Sequence, residues 1–286
     1  MERTILNTIR ALDTSDGAGV RLKRALGYNP MVRLDPFLML DAFSSDNPDD
    51  YIAGFPPHPH RGFETVTYLM EGHMKHRDHL GNEGDLQQGG VQWMTAGRGI
   101  IHEEMPQQQD GLLRGFQLWI NLPAAEKMKA AGYRDITDTE IPRLDLPKGG
   151  QIKAIAGEVT IGNQVISAPV KGGSTDPLYL DVKLRADETV TVPLTQGYNA
   201  FLYLFEGQVS IAGEAVKSDH LATFTDGDKV SLVAGDHGAR LLLLAGKPIG
   251  EPIAQYGPFV MNTRDEINQA LSDYRDGTLT AEPSSL

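Results

Sequence analysis

The sequence predicts an all-β protein: two β-barrel or sandwich domains, with one helix at the C-terminal end. Three observations predict it: short alternating segments set between many turn formers, an internal echo, and one stretch of helical periodicity confined to the end. Thirty-one glycines and 17 prolines punctuate segments such as HPHRGFETVTYLMEG, GFQLWINLP, LYLDVKLRADETVTVPL and ARLLLLAG. Successive side chains of a strand face opposite ways, so short alternating runs bounded by turn formers read as strands of a barrel or sandwich. TYLMEGHM at 67–74 recurs as LYLFEGQV at 202–209, which reads as two copies of one architecture. The Glu-Gly pair of each copy is expected to turn a hairpin. A Gly, Asp and Pro-rich zone over 135–175 separates the copies and places the domains at 1–135 and 136–286. In TRDEINQALSDYRDG, Thr263 and Glu266 stand at capping-box spacing, and Ile267, Ala270, Leu271 and Tyr274 follow on one helical face. The second domain therefore ends in an amphipathic helix.

Composition narrows the function classes. With 286 residues, 40% of them hydrophobic, the chain can bury sizeable cores without covalent staples. It has no cysteine, so any metal must be held by His and carboxylates. The first residues carry charge and no apolar run of signal or membrane-spanning length occurs, so a cytoplasmic location is expected. A formal charge of -12 repels phosphate backbones and anionic lipid, which argues against direct nucleic-acid or membrane binding.

Six of the eight histidines fall between positions 58 and 102. Strand parity makes His58 and His60 project together while Pro59 projects away, and it likewise pairs His102 with Glu104 and turns Glu103 outward. If the two strands are neighbours, the four side chains form one ligand set. Imidazole and carboxylate suit iron(II), manganese, cobalt, nickel, copper or zinc. Such a centre would keep a net charge of about +1, favourable to an anionic oxygen donor. His73, His76 and His79 in GHMKHRDH share no single strand face and read as an exposed hairpin and loop. Glu64 has the parity of His58 and His60 and is a candidate for the pocket or for the shell behind the ligands. Gln117 shares a face with Trp119, opposite Phe116, Leu118 and Ile120; either face could be core, and Gln117 is carried as a pocket candidate.

FPPHPHRGFETVTYLMEG followed by VQWMTAGRGIIHEEMP resembles the pirin family of the cupin superfamily. DPFLMLDAF, GFQLWINLP and GPFVMNTRDEINQAL resemble further pirin segments in the same order, so the likeness covers nearly the whole chain. It implies a bicupin, two barrels of the jelly-roll or double-stranded β-helix kind, with one metal ion, iron(II) being the usual assignment, in the N-terminal barrel. The motif places the ligands on His58, His60, His102 and Glu104, the set that parity selects. The second copy has Gln196, Gly197, Tyr198 and Asn199 ahead of LYLFEG and no HxH pair, so it is expected to hold no metal.

Pirin-like proteins that open flavonols imply a mononuclear dioxygenase acting on an aromatic small molecule such as quercetin with O2 and releasing carbon monoxide. Glu104 would then double as the general base. The family also implies an alternative, a metal- and redox-responsive regulatory protein that binds a transcription factor or a metabolic enzyme. A third possibility is a metal-dependent enzyme acting on another enol or carbonyl compound. The chain is expected to be a monomer.

Overall fold

The computed structural model of the chain describes residues 1–29 and 33–281. Its strands begin β1 (Ile5–Arg10), β2 (Leu12–Asp16), β3 (Val20–Leu26), β4 (Phe37–Ser45), β5 (Phe55–His60) and β6 (Phe63–Glu71). They continue β7 (His73–Asp78), β8 (Glu83–Gln87), β9 (Val91–Thr95), β10 (Ile100–Pro106), β11 (Leu113–Asn121) and β12 (Gly132–Ile136). Further strands follow to Met261, and one helix, α1 (Arg264–Arg275), comes after them.

The chain forms two compact units. One gathers Asp13–Leu22, Leu38–Asp138 and Ile249–Leu286; the other gathers Met1–Leu12, Lys23–Phe37 and Thr139–Pro248. The change at Asp138 and Thr139 falls close to the expected boundary at 135, yet the ends differ from the simple split. The C-terminal helix belongs with the histidine-bearing unit, and β1 joins the other by pairing with the strand His220–Phe224. The helix goes where its apolar stripe finds cover, against Phe259, Met261, Leu279 and Ile101.

The histidine-bearing unit is built on two sheets rather than one closed barrel. A seven-stranded sheet runs β12-β9-β6-β11-β4-β3-β2 and a four-stranded sheet runs β5-β10-β7-β8. Both faces of β6 are buried: Phe63, Thr65, Thr67 and Leu69 lie on one, Val66, Tyr68 and Met70 on the other. Leu69 packs with Phe43, Met74, Leu86 and Leu113, an apolar floor that excludes water from one end of the interior.

The echoed Glu-Gly pairs do not make hairpins. β6 pairs with β9 and β11, whereas β7 pairs with β8 and β10, so at Gly72, with φ of +106°, the chain leaves one sheet for the other. In the second copy Asn199–Ile211 is one continuous strand whose register shifts around Leu204 to Val209, with Gly207 at φ +74°. A glycine bend or bulge is how a strand turns the corner between packed sheets.

The second unit buries a leucine and valine-rich core, Leu180, Leu202, Leu241 and Leu243 among it, on a nine-stranded sheet. Its N-terminus is pinned by Arg3, whose guanidinium donates to the carbonyls of Gly227, Tyr198 and Thr195.

Thr263 caps α1 as its spacing predicts: its hydroxyl accepts from the Glu266 amide, and the Glu266 carboxylate accepts from the Thr263 amide. Ile267 and Ala270 are buried, whereas Tyr274 is exposed, so the apolar stripe is narrower than the sequence suggests. Thr263→Ala is expected to cost about 1 kcal/mol, read as a lower denaturant midpoint at unchanged slope. Among the described residues, no helix is long and apolar enough to cross a membrane.

Candidate metal centre

β5 and β10 are antiparallel neighbours, with His58 opposite His102 and His60 opposite Ile100. That register gathers three imidazoles: one nitrogen from each of His58, His60 and His102 lies within 4.8 Å of the others. The His58 and His102 ring centroids are 4.3 Å apart, those of His60 and His102 5.0 Å. His58 Nδ1 lies 2.9 Å from the Pro56 carbonyl, which can only accept. In the neutral tautomer that this contact selects, the proton is on Nδ1 and Nε2 presents a lone pair. That Nε2 faces His60 Nε2 at 3.0 Å.

Electrostatics keep the group ready for an ion. Burial pushes the His60 imidazole well below its usual range, the neighbouring His58 adds to the effect, and the Pro258 carbonyl opposes it. His102 is likewise driven well below its usual range, first by burial and then by His60, His58 and His76. Both rings are neutral near pH 7, and only a neutral imidazole has a lone pair for a metal.

Glu104 follows two residues after His102 and is buried, only 5% exposed. A register shift between β10 and β5 sets it opposite Phe55. Its Oε1 accepts from the Thr67 hydroxyl at 3.0 Å, and Gln117 Nε2 stands 3.5 Å from its Oε2. On β10 Glu104 stands opposite His76 of β7, and its carboxylate is not one of the tight group of three. Gln117 thus sits where the sequence left two choices open: it faces inward with Trp119, whose ring is 5.3 Å from His60. Phe116, Leu118 and Ile120 are buried on the opposite face.

Two expectations need correction. Glu64 does not share the face of His58 and His60, because Gly62, at φ +91°, breaks the strand between them and resets the alternation. Its carboxylate lies on the other side of β6, accepting from Thr95 Oγ1 at 2.6 Å and Trp93 Nε1 at 3.1 Å, with Lys129 Nζ at 3.6 Å. Nor do all three middle histidines belong to an exposed loop. His73 pairs with the exposed Asp85, but His76 is 2% exposed and its Nδ1 lies 3.4 Å from His102 Nδ1. The clue was the alternation of Met74 and His76, both buried, with Lys75 and Arg77 on β7.

Two cationic side chains fasten this unit's C-terminal segment to the end of β5. Arg61 meets Asp273 at 2.6 Å, the Leu279 carbonyl at 3.0 Å, and the Arg98 carbonyl. Lys127 Nζ donates to Gly62 O at 2.7 Å, Asn121 Oδ1 at 2.6 Å and Val260 O at 3.0 Å. The strand that carries two of the three imidazoles is held at its exit on both sides.

The donor set fits a divalent transition metal. Two nitrogens each about 2.1 Å from one ion, about 90° apart, are separated by about 3.0 Å, which is the spacing of His58 and His60. His102 Nε2 is buried with no hydrogen-bond partner, a state that ordinarily costs stability unless the atom serves a ligand.

Comparison with known proteins identifies the family. The pirin family profile matches residues 19–120, and that of the pirin C-terminal cupin domain matches residues 179–280. A Pseudomonas aeruginosa protein, provisionally named a quercetin 2,3-dioxygenase, is 52% identical over 280 residues, covering 97% of this chain and 98% of its own. Human pirin is 40% identical, covering 94% of this chain and 91% of its own. A crystal structure described as quercetin 2,3-dioxygenase from Acinetobacter baumannii superposes with a TM-score of 0.90 at 31% identity, covering 98% of this chain and 99% of that one. With a match to both cupin halves and relatives aligned over almost its whole length, the chain belongs to the pirin family and has the bicupin fold.

Proposed function

We propose that this chain is a mononuclear metal-dependent dioxygenase of the pirin type, which opens the heterocycle of a flavonol such as quercetin with O2 and releases carbon monoxide. The observation that supports it most is the meeting of three imidazoles on two paired strands, in a chain aligned end to end with a structure described as a quercetin 2,3-dioxygenase.

His58, His60, His102 and Glu104 would hold the ion, for which iron(II) is our assignment. When bound, it supplies a positive centre for an enolate oxygen and an electron path to O2. The His60 and His102 imidazoles keep lone pairs for the ion because burial keeps them neutral. Glu104 accepts the proton of the flavonol 3-hydroxyl, making the substrate an anion. Thr67 and Gln117 hold that carboxylate in place. Trp119, seated on the buried Phe63 with centroids 4.3 Å apart and 5.3 Å from the His60 ring, is an apolar wall beside His60 against which a flat aromatic substrate can lie. In the overall reaction the carbon bearing the 3-hydroxyl leaves with its oxygen as carbon monoxide. Both atoms of O2 stay in the opened ester.

The test is aerobic incubation of the iron-loaded protein with quercetin, following flavonol absorbance and carbon monoxide together. Both signals are expected in the wild type, with at least a 100-fold slower rate in Glu104→Ala, the loss of a general base being worth about 10²–10⁴. Flavonol loss without carbon monoxide, or an unchanged rate in Glu104→Ala, contradicts the proposal.

A further inference from the structure

We propose that His76 is the positioning residue for His102: its ring accepts the His102 Nδ1 proton, which leaves His102 Nε2 unprotonated and free for an ion. The inference deepens the metal-centre reading and rests on it for the role of His102.

β7 and β10 are antiparallel, with Glu104 opposite His76 and His102 opposite Asp78. His76 and His102 are thus diagonal neighbours on one face, with ring centroids 4.8 Å apart and planes at 43°. Their Nδ1 atoms are 3.4 Å apart, so one ring carries the proton between them. Were it His76, a neutral His102 would carry its own proton on Nε2, where it blocks coordination. Were it His102, Nε2 keeps its lone pair. His58 already shows the second arrangement, with Nδ1 committed to the Pro56 carbonyl and Nε2 free. An imidazole ligand generally has its second nitrogen anchored in this way, which sets both tautomer and ring plane.

His76 is built to serve as such an anchor. It is fully enclosed, and Tyr133 of β12 backs its ring at 5.1 Å with planes at 40°. Its own Nε2 is buried without a partner, so the contact with His102 is the polar contact its ring makes. It stands outside the group of three whose nitrogens could share an ion.

The experiment compares wild type with His76→Phe, which keeps an aromatic ring but no acceptor, and His76→Asn, whose amide oxygen can stand near the place of Nδ1. Cobalt(II) affinity is measured by chelator competition, and the tautomer of His102 by nitrogen NMR of metal-free, 15N-histidine-labelled protein. We expect His76→Phe to bind cobalt about 10–100-fold more weakly and His76→Asn to recover most of the loss. In the metal-free wild type, His102 should be protonated at Nδ1, and the Nε2-protonated form should appear in His76→Phe. Wild-type affinity in His76→Phe, or a metal-free wild type with His102 protonated at Nε2, overturns the proposal. If His76→Phe does not fold, the wild-type spectrum and the affinity of His76→Asn decide it. If the wild type binds no cobalt, the metal-centre reading fails, while the nitrogen spectrum still decides the bond between the two histidines.

Discussion

His102→Ala is expected to weaken binding of a divalent transition ion by at least about 100-fold and to remove most of the stabilisation that the ion confers. Substitutions behind a ligand cost roughly 10–100-fold in affinity, and this one removes a donor itself. His102 Nε2 is buried and unpartnered, and no other imidazole takes its place, since the Nδ1 of His76 faces the Nδ1 of His102. An ion at a hundredfold excess over its Kd stabilises a protein by about 2.7 kcal/mol; at a hundredfold weaker affinity the same concentration gives about 0.4 kcal/mol. Calorimetric melting with and without the ion reads the difference. An equal rise in melting temperature for wild type and variant would place the ion elsewhere.

Lys127→Met is expected to destabilise the histidine-bearing unit by about 3–5 kcal/mol, because three buried oxygens lose their donor at about 1–3 kcal/mol each. Lys127 is only 1% exposed, and its ammonium satisfies Gly62 O, Asn121 Oδ1 and Val260 O at once. Methionine matches its length but donates to none of them. The charge is itself strained: burial lowers the Lys127 pKa to about 8, with Glu251 and Glu266 acting in the opposite direction. The unfolded chain, with a lysine near 10.5, therefore binds more protons than the folded chain between about pH 8 and 10.5. Lys127's contribution to stability is full above that window and falls as pH drops through it. The stability gap between wild type and Lys127→Met should accordingly widen from pH 8 to 10.5; a gap that narrows would contradict the assignment.

Much of the site was legible because a strand has only two faces. Strand parity selects His58, His60, His102 and Glu104, and the β5–β10 register brings the three imidazoles of that set together. The same rule misplaced Glu64, since it holds only while the strand is unbroken and Gly62 breaks it. His76 was obscured by its neighbours: three histidines at a spacing of three suggest no common face, and in fact only His76 is buried while His73 pairs at the surface. The helix was readable down to its capping box, but its location was not. An amphipathic stripe states that a face is buried and does not say against what; Arg61 and Asp273, far apart in sequence, supply that answer only in three dimensions. The Glu-Gly echoes identified equivalent corners correctly as repeats and wrongly as hairpins, because a positive-φ glycine serves both a tight turn and a change of sheet.

Titration of the metal-free protein with cobalt(II), followed in the visible spectrum, tests the central claim most directly. Saturation at one ion per chain, with the d–d bands of a nitrogen and oxygen-ligated centre, is the expected result. A titration without saturable binding, or bands left unchanged when His58, His60 and His102 are all replaced by alanine, would contradict it.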